Sequence, residues 1–299
     1  MQRKIVYLIN PISGGSDKKR IIDTIAQKTS NQQIAFEILP TNAEGNYYFL
    51  KEKIHQEHIT DVVICGGDGT VGHVVHALID EPVQVGIIPL GSGNGLAFAA
   101  KIPKNLDKAL QIVFAGKSSF VDAFFINSSF SCMLCGLGFD AQVAHDFAKL
   151  PSRGLKTYVK QTLIEFFRAK PYTFEISSRE GVIQTQAYFI SIANSNQFGN
   201  NFTIAPKASL SDGLLDVVVV TKMNKLNLLI RLLRQIKSGQ VQSWTEAANK
   251  NKGVLYFQTN KLVIQNTGNA PMHIDGDPVA SHKKISITLV PQAYRLIQP

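Results

Sequence analysis

Apolar and polar positions alternate through the first third of the chain in a regular rhythm. Short apolar runs at Ile5–Ile9, Ile34–Leu39, Val62–Cys65 and Val83–Ile88 read as strands. Between them, apolar residues recur three and four apart over Lys18–Gln27, Asn46–His55 and Val71–Ile79, the spacing of helices. Strands alternating with helices in this way predict a parallel sheet covered on both faces. In such sheets ligands sit outside the carboxyl ends of the strands. Those ends are the glycine-rich or polar loops beginning at Asn10, Pro40, Gly66 and Pro89, expected on one rim.

The rhythm changes after about residue 118. Strand-like runs then dominate, at Phe120–Asn127, Ser131–Leu137, Tyr172–Ile176, Val182–Asn194, Leu214–Val220, Val254–Gln258, Leu262–Gln265 and Lys284–Val290. Two helical stretches, Leu155–Ala169 and Leu226–Ile236, interrupt them. The expected fold is an α/β N-terminal domain with a parallel, Rossmann-like sheet over residues 1–122. A mostly antiparallel β-sandwich follows over residues 123–299, its last residues being candidates to return to the first domain.

With 44% hydrophobic and 18% charged residues, the chain can build a core and does not have the composition of a disordered one. No uncharged apolar run approaches the roughly 18 residues of a membrane span. The apolar stretch after Arg3-Lys4 is too short for a signal segment and reads as a first strand, so a cytoplasmic protein is expected. Cys65, Cys132 and Cys135 are odd in number, and no second pair completes a zinc site around Cys132-Met-Leu-Cys135. Buried thiols are the expectation. A net charge of +9 favours polyanions: nucleic acid, nucleotides or an anionic membrane surface. Neither zinc-finger spacing nor an RNA-reading aromatic signature supports nucleic acid, which is not an expected partner.

The segment Gly66-Gly67-Asp68-Gly69-Thr70 feeds a strand into a helix through glycines. Unpartnered backbone N–H groups and the positive end of the helix dipole there favour a phosphate. A carboxylate repels a bare phosphate, so Asp68 would orient a magnesium-bound phosphate, a hydroxyl or a cation; a capping Asp in a tight turn is the plainer reading. Gly91-Ser-Gly-Asn-Gly95 forms a second loop, in which Ser92 and Asn94 suit either a ligand or a turn and helix cap. Ser13, Thr41, Thr70 and Ser92 offer hydroxyl donors.

Downstream, Met272–Pro278 places Asp275 and Asp277 on a sharp turn between strands. A hydroxyl attacking a γ-phosphoryl group benefits from such a carboxylate as proton acceptor; an ordinary Asp-Gly hairpin has the same residues. His273, alternating with apolar neighbours, reads as a strand residue. Asp212 and Asp216 flank a glycine turn whose oxygens suit a hard cation such as Mg²⁺, or simply introduce the next strand. The leucines and basic residues around Leu226–Ile236 fit a helix lying on anionic lipid or packed in its own domain.

Taken in order, these segments resemble the diacylglycerol kinase catalytic-domain family, which includes soluble bacterial lipid kinases and the related sphingosine kinases. The resemblance rests on Asn10–Gly14, Thr41, Gly66–Thr70, Pro89–Ala97, Gly136–Ala141, Ala193-Asn194, Ser211–Asp216 and Ile274–Pro278, and spans most of the chain. It implies an NAD-kinase-like first domain and ATP-dependent phosphorylation of a lipid hydroxyl in a cleft between two domains. ATP would meet Asn10, Ser13, Thr41, Gly66, Gly67, Asp68, Gly69, Thr70, Ser92 and Asn94. Asp275 aligns with the first carboxylate of the family's Asp-Gly-Glu turn, and Asp277 replaces its Glu; the base is one of the two, with Asp68 assisting. Mg²⁺ would map to Ser209, Asp212, Leu214 and Asp216.

The chain departs from the family at Gly72-His73, Gly95, Ser211 and Asp277. The resemblance also implies a role in phospholipid synthesis, transient docking by basic charge at the inner membrane surface and, as an open possibility, a homodimer. NAD kinases share the Gly-Gly-Asp-Gly turn, but their later Asn-Glu helix motif is missing. A non-catalytic regulator that binds nucleotide or lipid is the alternative of another class.

Overall fold

A computed structural model describes residues 2–10, 18–42, 44–148, 168–196, 205, 208–222 and 253–299. It divides into two compact units, residues 1–122 with 291–299, and residues 123–290. The expected helix Leu226–Ile236 and all but Arg168 and Ala169 of Leu155–Ala169 lie outside the described residues.

In the first unit, strands β1 (Lys4–Ile9), β2 (Ala35–Pro40), β3 (Asp61–Gly66) and β4 (Gln84–Pro89) alternate with helices α1 (Lys18–Asn31), α2 (Phe49–Glu57) and α3 (Asp68–Ala77). The strands pair in parallel in the order β2-β1-β3-β4, each within about two residues of its expected position. Their registers align Pro40 with Ile9, Ile9 with Cys65 and Gly66 with Pro89. All four carboxyl ends therefore finish on one edge. Burial explains the sequence pattern: β1 and β3 are apolar almost throughout because both of their faces are covered.

Two helices beyond β4 complete this unit: α4 (Gly95–Ala99) and α5 (Leu106–Ala115), the second not anticipated from sequence. Asn105 caps α5 by accepting from the Lys108 N–H at 3.0 Å, and Gly116 closes it at φ 63°. At the opposite edge of the sheet Arg3 forms a fork on buried Asp61 (2.9 and 2.8 Å) and donates to the Phe114 and Val113 carbonyls at the end of α5. One guanidinium thus satisfies a buried carboxylate and two helix-end carbonyls. Buried Tyr7 and Thr29 share a 2.9 Å hydrogen bond, and desolvation pushes the phenol up to about 12.

The second unit is an antiparallel, sandwich-like β structure. Its elements are β6 (Ser129–Ser131), β7 (Leu134–Gly138), helix α6 (Phe139–Ala148), β8 (Tyr172–Ser178), β9 (Gly181–Ala193), β10 (Leu215–Thr221), β11 (Val254–Thr259), β12 (Lys261–Gln265), β13 (Met272–Ile274) and β14 (Asp277–Val279). Strand β9 organises the layers. Its first half pairs with β8, and its second half runs between β7 and β10. The apolar faces enclose Phe124, Leu137, Phe174, Ile190, Val217, Phe257 and Ile287 in one core.

The expected strand Ser131–Leu137 is broken. The Ser131 Oγ accepts from the Met133 N–H at 3.3 Å, and the Met133 carbonyl takes the N–H groups of Asn194 and Ser195. This bend separates β6 from β7. Strands β5 (Ser118–Ile126) and β15 (Lys284–Ile297) each contribute to both units: residues 284–288 of β15 pair with β12, while Arg295 and Leu296 pair with β4. The strand expected to stop at Val290 thus continues for seven more residues, to Ile297.

Candidate active site

On the carboxyl edge of the first sheet, the two glycine-rich loops lie against each other. A Cβ on Gly91 would stand 2.6 Å from the Gly67 Cα, so only glycine permits this backbone-to-backbone approach. The Leu90 N–H also donates to the Gly66 carbonyl at 2.9 Å. Asn94 adopts φ 56°, and its buried amide closes on the Gly91 N–H and carbonyl at 2.9 and 2.7 Å. Asn94 is therefore the buckle of its own loop. Ser92 lies exposed at the tip.

Asp68 has backbone partners. Its Oδ2 accepts from the Gly95 N–H at 3.0 Å and its Oδ1 from the Leu96 N–H at 3.4 Å. The carboxylate caps α4 from a different loop, supplying the negative charge that a helix start favours. Gly95, one of the departures noted above, is the position it reaches. Helix α3 starts differently: its N-cap is extended Gly67, which has no side chain to offer.

Asn10 Nδ2 donates to Thr70 Oγ1 at 3.1 Å, tying the end of β1 to the first turn of α3, and the Thr41 N–H donates to the Ile9 carbonyl at 3.1 Å. Asn10, Thr41, Gly66, Gly67, Asp68, Gly69, Thr70, Ser92 and Asn94 thus gather on one edge; Ser13 lies outside the described residues. The departure at His73 has a local partner, because its ring packs on Gly45 in the loop after β2.

In the second unit Asp275 and Gly276 form a two-residue hairpin between β13 and β14, with φ 50° and 91°. Positive φ at both positions marks a type I′ turn. Asp275 Oδ1 accepts from Ser131 Oγ at 2.6 Å and from the Leu134 N–H at 3.0 Å, which holds its carboxylate toward the interior. Asp277 is exposed at the start of β14. Behind the turn, buried His273 accepts from the Gly276 N–H at Nδ1 (3.3 Å) and faces Asp140 Oδ2 with Nε2 (3.5 Å). Sequence reasoning missed the approach of Asp140 to His273, which depends on the pairing of β7 with β13, and the bond of Ser131 to Asp275.

Exposed Asp212 accepts from the Leu214 N–H at 3.1 Å, an Asx turn at Gly213. Asp216 is wholly buried, its carboxylate accepting from Tyr256 Oη and Gln258 Nε2. Burial first, and that carboxylate second, raise the Tyr256 phenol far above its ordinary value. No group of three or more His, Cys, Asp or Glu side chains suited to a metal occurs among the described residues. Ser209, Asp212 and Leu214 nevertheless present only hard oxygens, the donor chemistry that Mg²⁺ takes.

Residues 4–126 match the diacylglycerol kinase catalytic domain, and residues 134–298 match the YegS C-terminal NAD kinase beta sandwich-like domain. The chain is 28% identical over 262 residues to a protein of Shewanella frigidimarina named "Probable lipid kinase YegS-like", covering 84% of this chain and 80% of that one. A protein of the same name from Enterobacter sp. strain 638 is 28% identical over 296 residues, covering 96% and 93%. A crystal structure of a diacylglycerol kinase from Bacillus anthracis strain Sterne superposes with a TM-score of 0.77 at 16% identity, covering 99% and 97% of the two chains. That likeness shows a shared fold. With one family model on each part of it, the chain belongs to the lipid-kinase family that joins a diacylglycerol kinase catalytic domain to a YegS-type C-terminal domain.

Proposed function

We propose that the protein is an ATP- and Mg²⁺-dependent lipid kinase that phosphorylates a hydroxyl of diacylglycerol or a related lipid. The observation that carries this reading is the paired-glycine rim of the first unit. It presents the start of α3 under a glycine N-cap, while Asp68 fills the start of α4. A nucleotide phosphate suits the first of these helix starts. Asn10, Thr41, Thr70 and Ser92 supply polar groups around it.

Asp277 carries the base role in this reading, because its carboxylate is exposed to an incoming hydroxyl. It accepts the hydroxyl proton as the oxygen attacks the γ-phosphorus and ADP departs. Asp275, clasped by Ser131 and Leu134, holds the turn that presents Asp277. The reading requires the phosphoryl group and Asp277 to meet at one lipid hydroxyl. Ser209, Asp212 and Leu214 would hold Mg²⁺, which would supply a local positive charge, with Asp216 bracing Tyr256. A net charge of +9 would bring the protein to anionic lipid at the inner membrane face, an attraction that salt weakens.

The test is transfer from labelled ATP to a lipid panel, comparing the parent with Asp277→Asn. Phosphorylation of a lipid by the parent and its loss in the variant are expected. Phosphorylation of NAD with no lipid product would assign a NAD kinase; nucleotide binding without any turnover would assign a regulator.

A further inference from the structure

The turn that carries Asp275 and Asp277 is held from behind by a pair of buried groups. His273 lies two residues before Asp275 on β13 and is 1% exposed. Its Nδ1 accepts the Gly276 N–H, so that nitrogen bears no proton. In the neutral ring the proton therefore sits on Nε2, which lies 3.5 Å from Asp140 Oδ2, a close approach of two buried polar atoms that falls short of hydrogen-bond geometry. Asp140 is anchored in turn: its Oδ1 accepts from the Ala141 N–H at 2.8 Å in the first turn of α6. The start of a ten-residue helix favours a negative charge there.

Room for this contact is made by Gly136, the register partner of His273 on β7. A Cβ at Gly136 would land on both Asp140 Oδ2 and His273 Nε2. Other titratable groups close in from the neighbouring elements. Cys135 on β7 is fully buried near Asp140 and Asp275, and His145 on α6 bonds the Met272 carbonyl at 3.0 Å. The Leu134 carbonyl of β7 takes the Asp275 N–H at 2.9 Å, and the Asp140–His273 line reaches the turn's backbone at Gly276.

We propose that Asp140 and His273 are positioning residues: through one line of contacts, Asp140 to His273 to the Gly276 N–H, they fix the turn and so aim Asp277. A carboxylate that sets the tautomer of an imidazole, which then orients a reacting group, is a recurrent arrangement in enzymes. The inference deepens the lipid-kinase reading, and its kinetic part rests on that reading.

The experiment uses the full chain and Asp140→Asn. An Asn amide at this position would donate toward Nε2 and drive the proton to Nδ1, which then no longer accepts from Gly276. The ¹⁵N shifts of the parent imidazole are expected to show the Nε2–H tautomer, and those of the variant Nδ1–H. Exchange of the Gly276 amide is expected to quicken by about tenfold or more. Turnover on the accepted lipid should fall about 10- to 100-fold, with KM for ATP within about twofold.

His273→Gln removes the Gly276 acceptor and serves as the second variant, with the same kinetic and exchange outcome expected. An Nδ1–H tautomer in the parent overturns the proposal without any variant. Turnover that holds within about twofold while the tautomer changes overturns it as well. If the parent phosphorylates no lipid, the kinase reading fails, and tautomer and exchange alone decide whether Asp140 and His273 hold the turn.

Discussion

Asp68 and Gly95 are joined across the rim of the first unit, the Asp68 carboxylate standing 3.0 Å from the Gly95 N–H. The bond caps a short helix and links the two glycine-rich loops. Asp68→Ala should therefore destabilise the fold by about 1 kcal/mol, as loss of a helix cap does. Asp68→Asn, which keeps an acceptor and loses the charge, should lose less. Urea unfolding of the three proteins measures this, and equal midpoints would show that the cap contributes nothing.

Gly91→Ala tests the contact between the loops. The new Cβ would meet the Gly67 Cα at 2.6 Å and Asn94 Oδ1 at 2.9 Å, and the first of these is backbone that has no rotamer to swing away. A loss of about 1–3 kcal/mol in stability is expected, with nucleotide affinity reduced about tenfold. Ser92→Ala, at the exposed tip, should change stability by no more than about 0.5 kcal/mol. Calorimetric titration with ATP and thermal unfolding separate the two.

Asp277 and Asp275 should fail in different ways. Asp277→Asn is expected to reduce turnover at least about 100-fold, with unfolding unchanged. Asp277→Glu, which restores the usual residue of the family, should retain activity. Asp275→Asn should lose activity and also about 1–3 kcal/mol of stability, because Ser131 and the Leu134 N–H lose an ionised acceptor. Steady-state kinetics beside urea unfolding will tell them apart.

Asp140 should leave a signature in the pH dependence of stability. Burial raises its carboxyl above the ordinary 3.8, with His273 opposing the shift. Over the window from that ordinary value up to the raised one, the folded chain keeps a proton that the unfolded chain releases. Its contribution to stability is therefore full below the window and falls as pH rises through the folded value. Asp140→Asn lacks this loss, so the stability difference should move in the variant's favour as pH rises from 3.8 through the raised value. A difference that stays flat with pH contradicts the shift.

The thiols should be inert. Cys65 and Cys135 are buried and held protonated by desolvation, Cys135 also by nearby Asp275 and Asp140, and Cys132 is buried. Since the thiolate is the reactive form, a disulfide reagent at mild alkaline pH should modify none of the three in folded protein and all three in denaturant. Rapid labelling of folded protein would show that the β7 region opens.

The architecture was legible because burial writes directly into sequence. Strands β1 to β4 are covered on both faces, so their apolar runs stand out and their ends fall within about two residues of expectation. The gathering of the loops on one edge was legible for the same reason, since aligned strand ends bring them together. The partners of the polar groups were not. Asp68 reads from sequence as a ligand-orienting carboxylate or a cap, with nothing to name Gly95 as its partner, and His273 reads as an ordinary strand residue until β7 brings Gly136 opposite it. Such contacts arise from sheet pairing and loop packing, which periodicity does not encode. Helix α5 escaped notice although Asn105 and Gly116 mark its two ends.

The contact of Gly67 with Gly91 also bears on thermodynamics. Flexible loops around a ligand must be ordered when it arrives, and that lost freedom is subtracted from the binding free energy. Here two loops are already stacked backbone on backbone, buckled by Asn94 and bridged by Asp68. Their conformational entropy is surrendered when the domain folds. A phosphate landing at the start of α3 would then meet a rigid wall, with little freedom left there to lose.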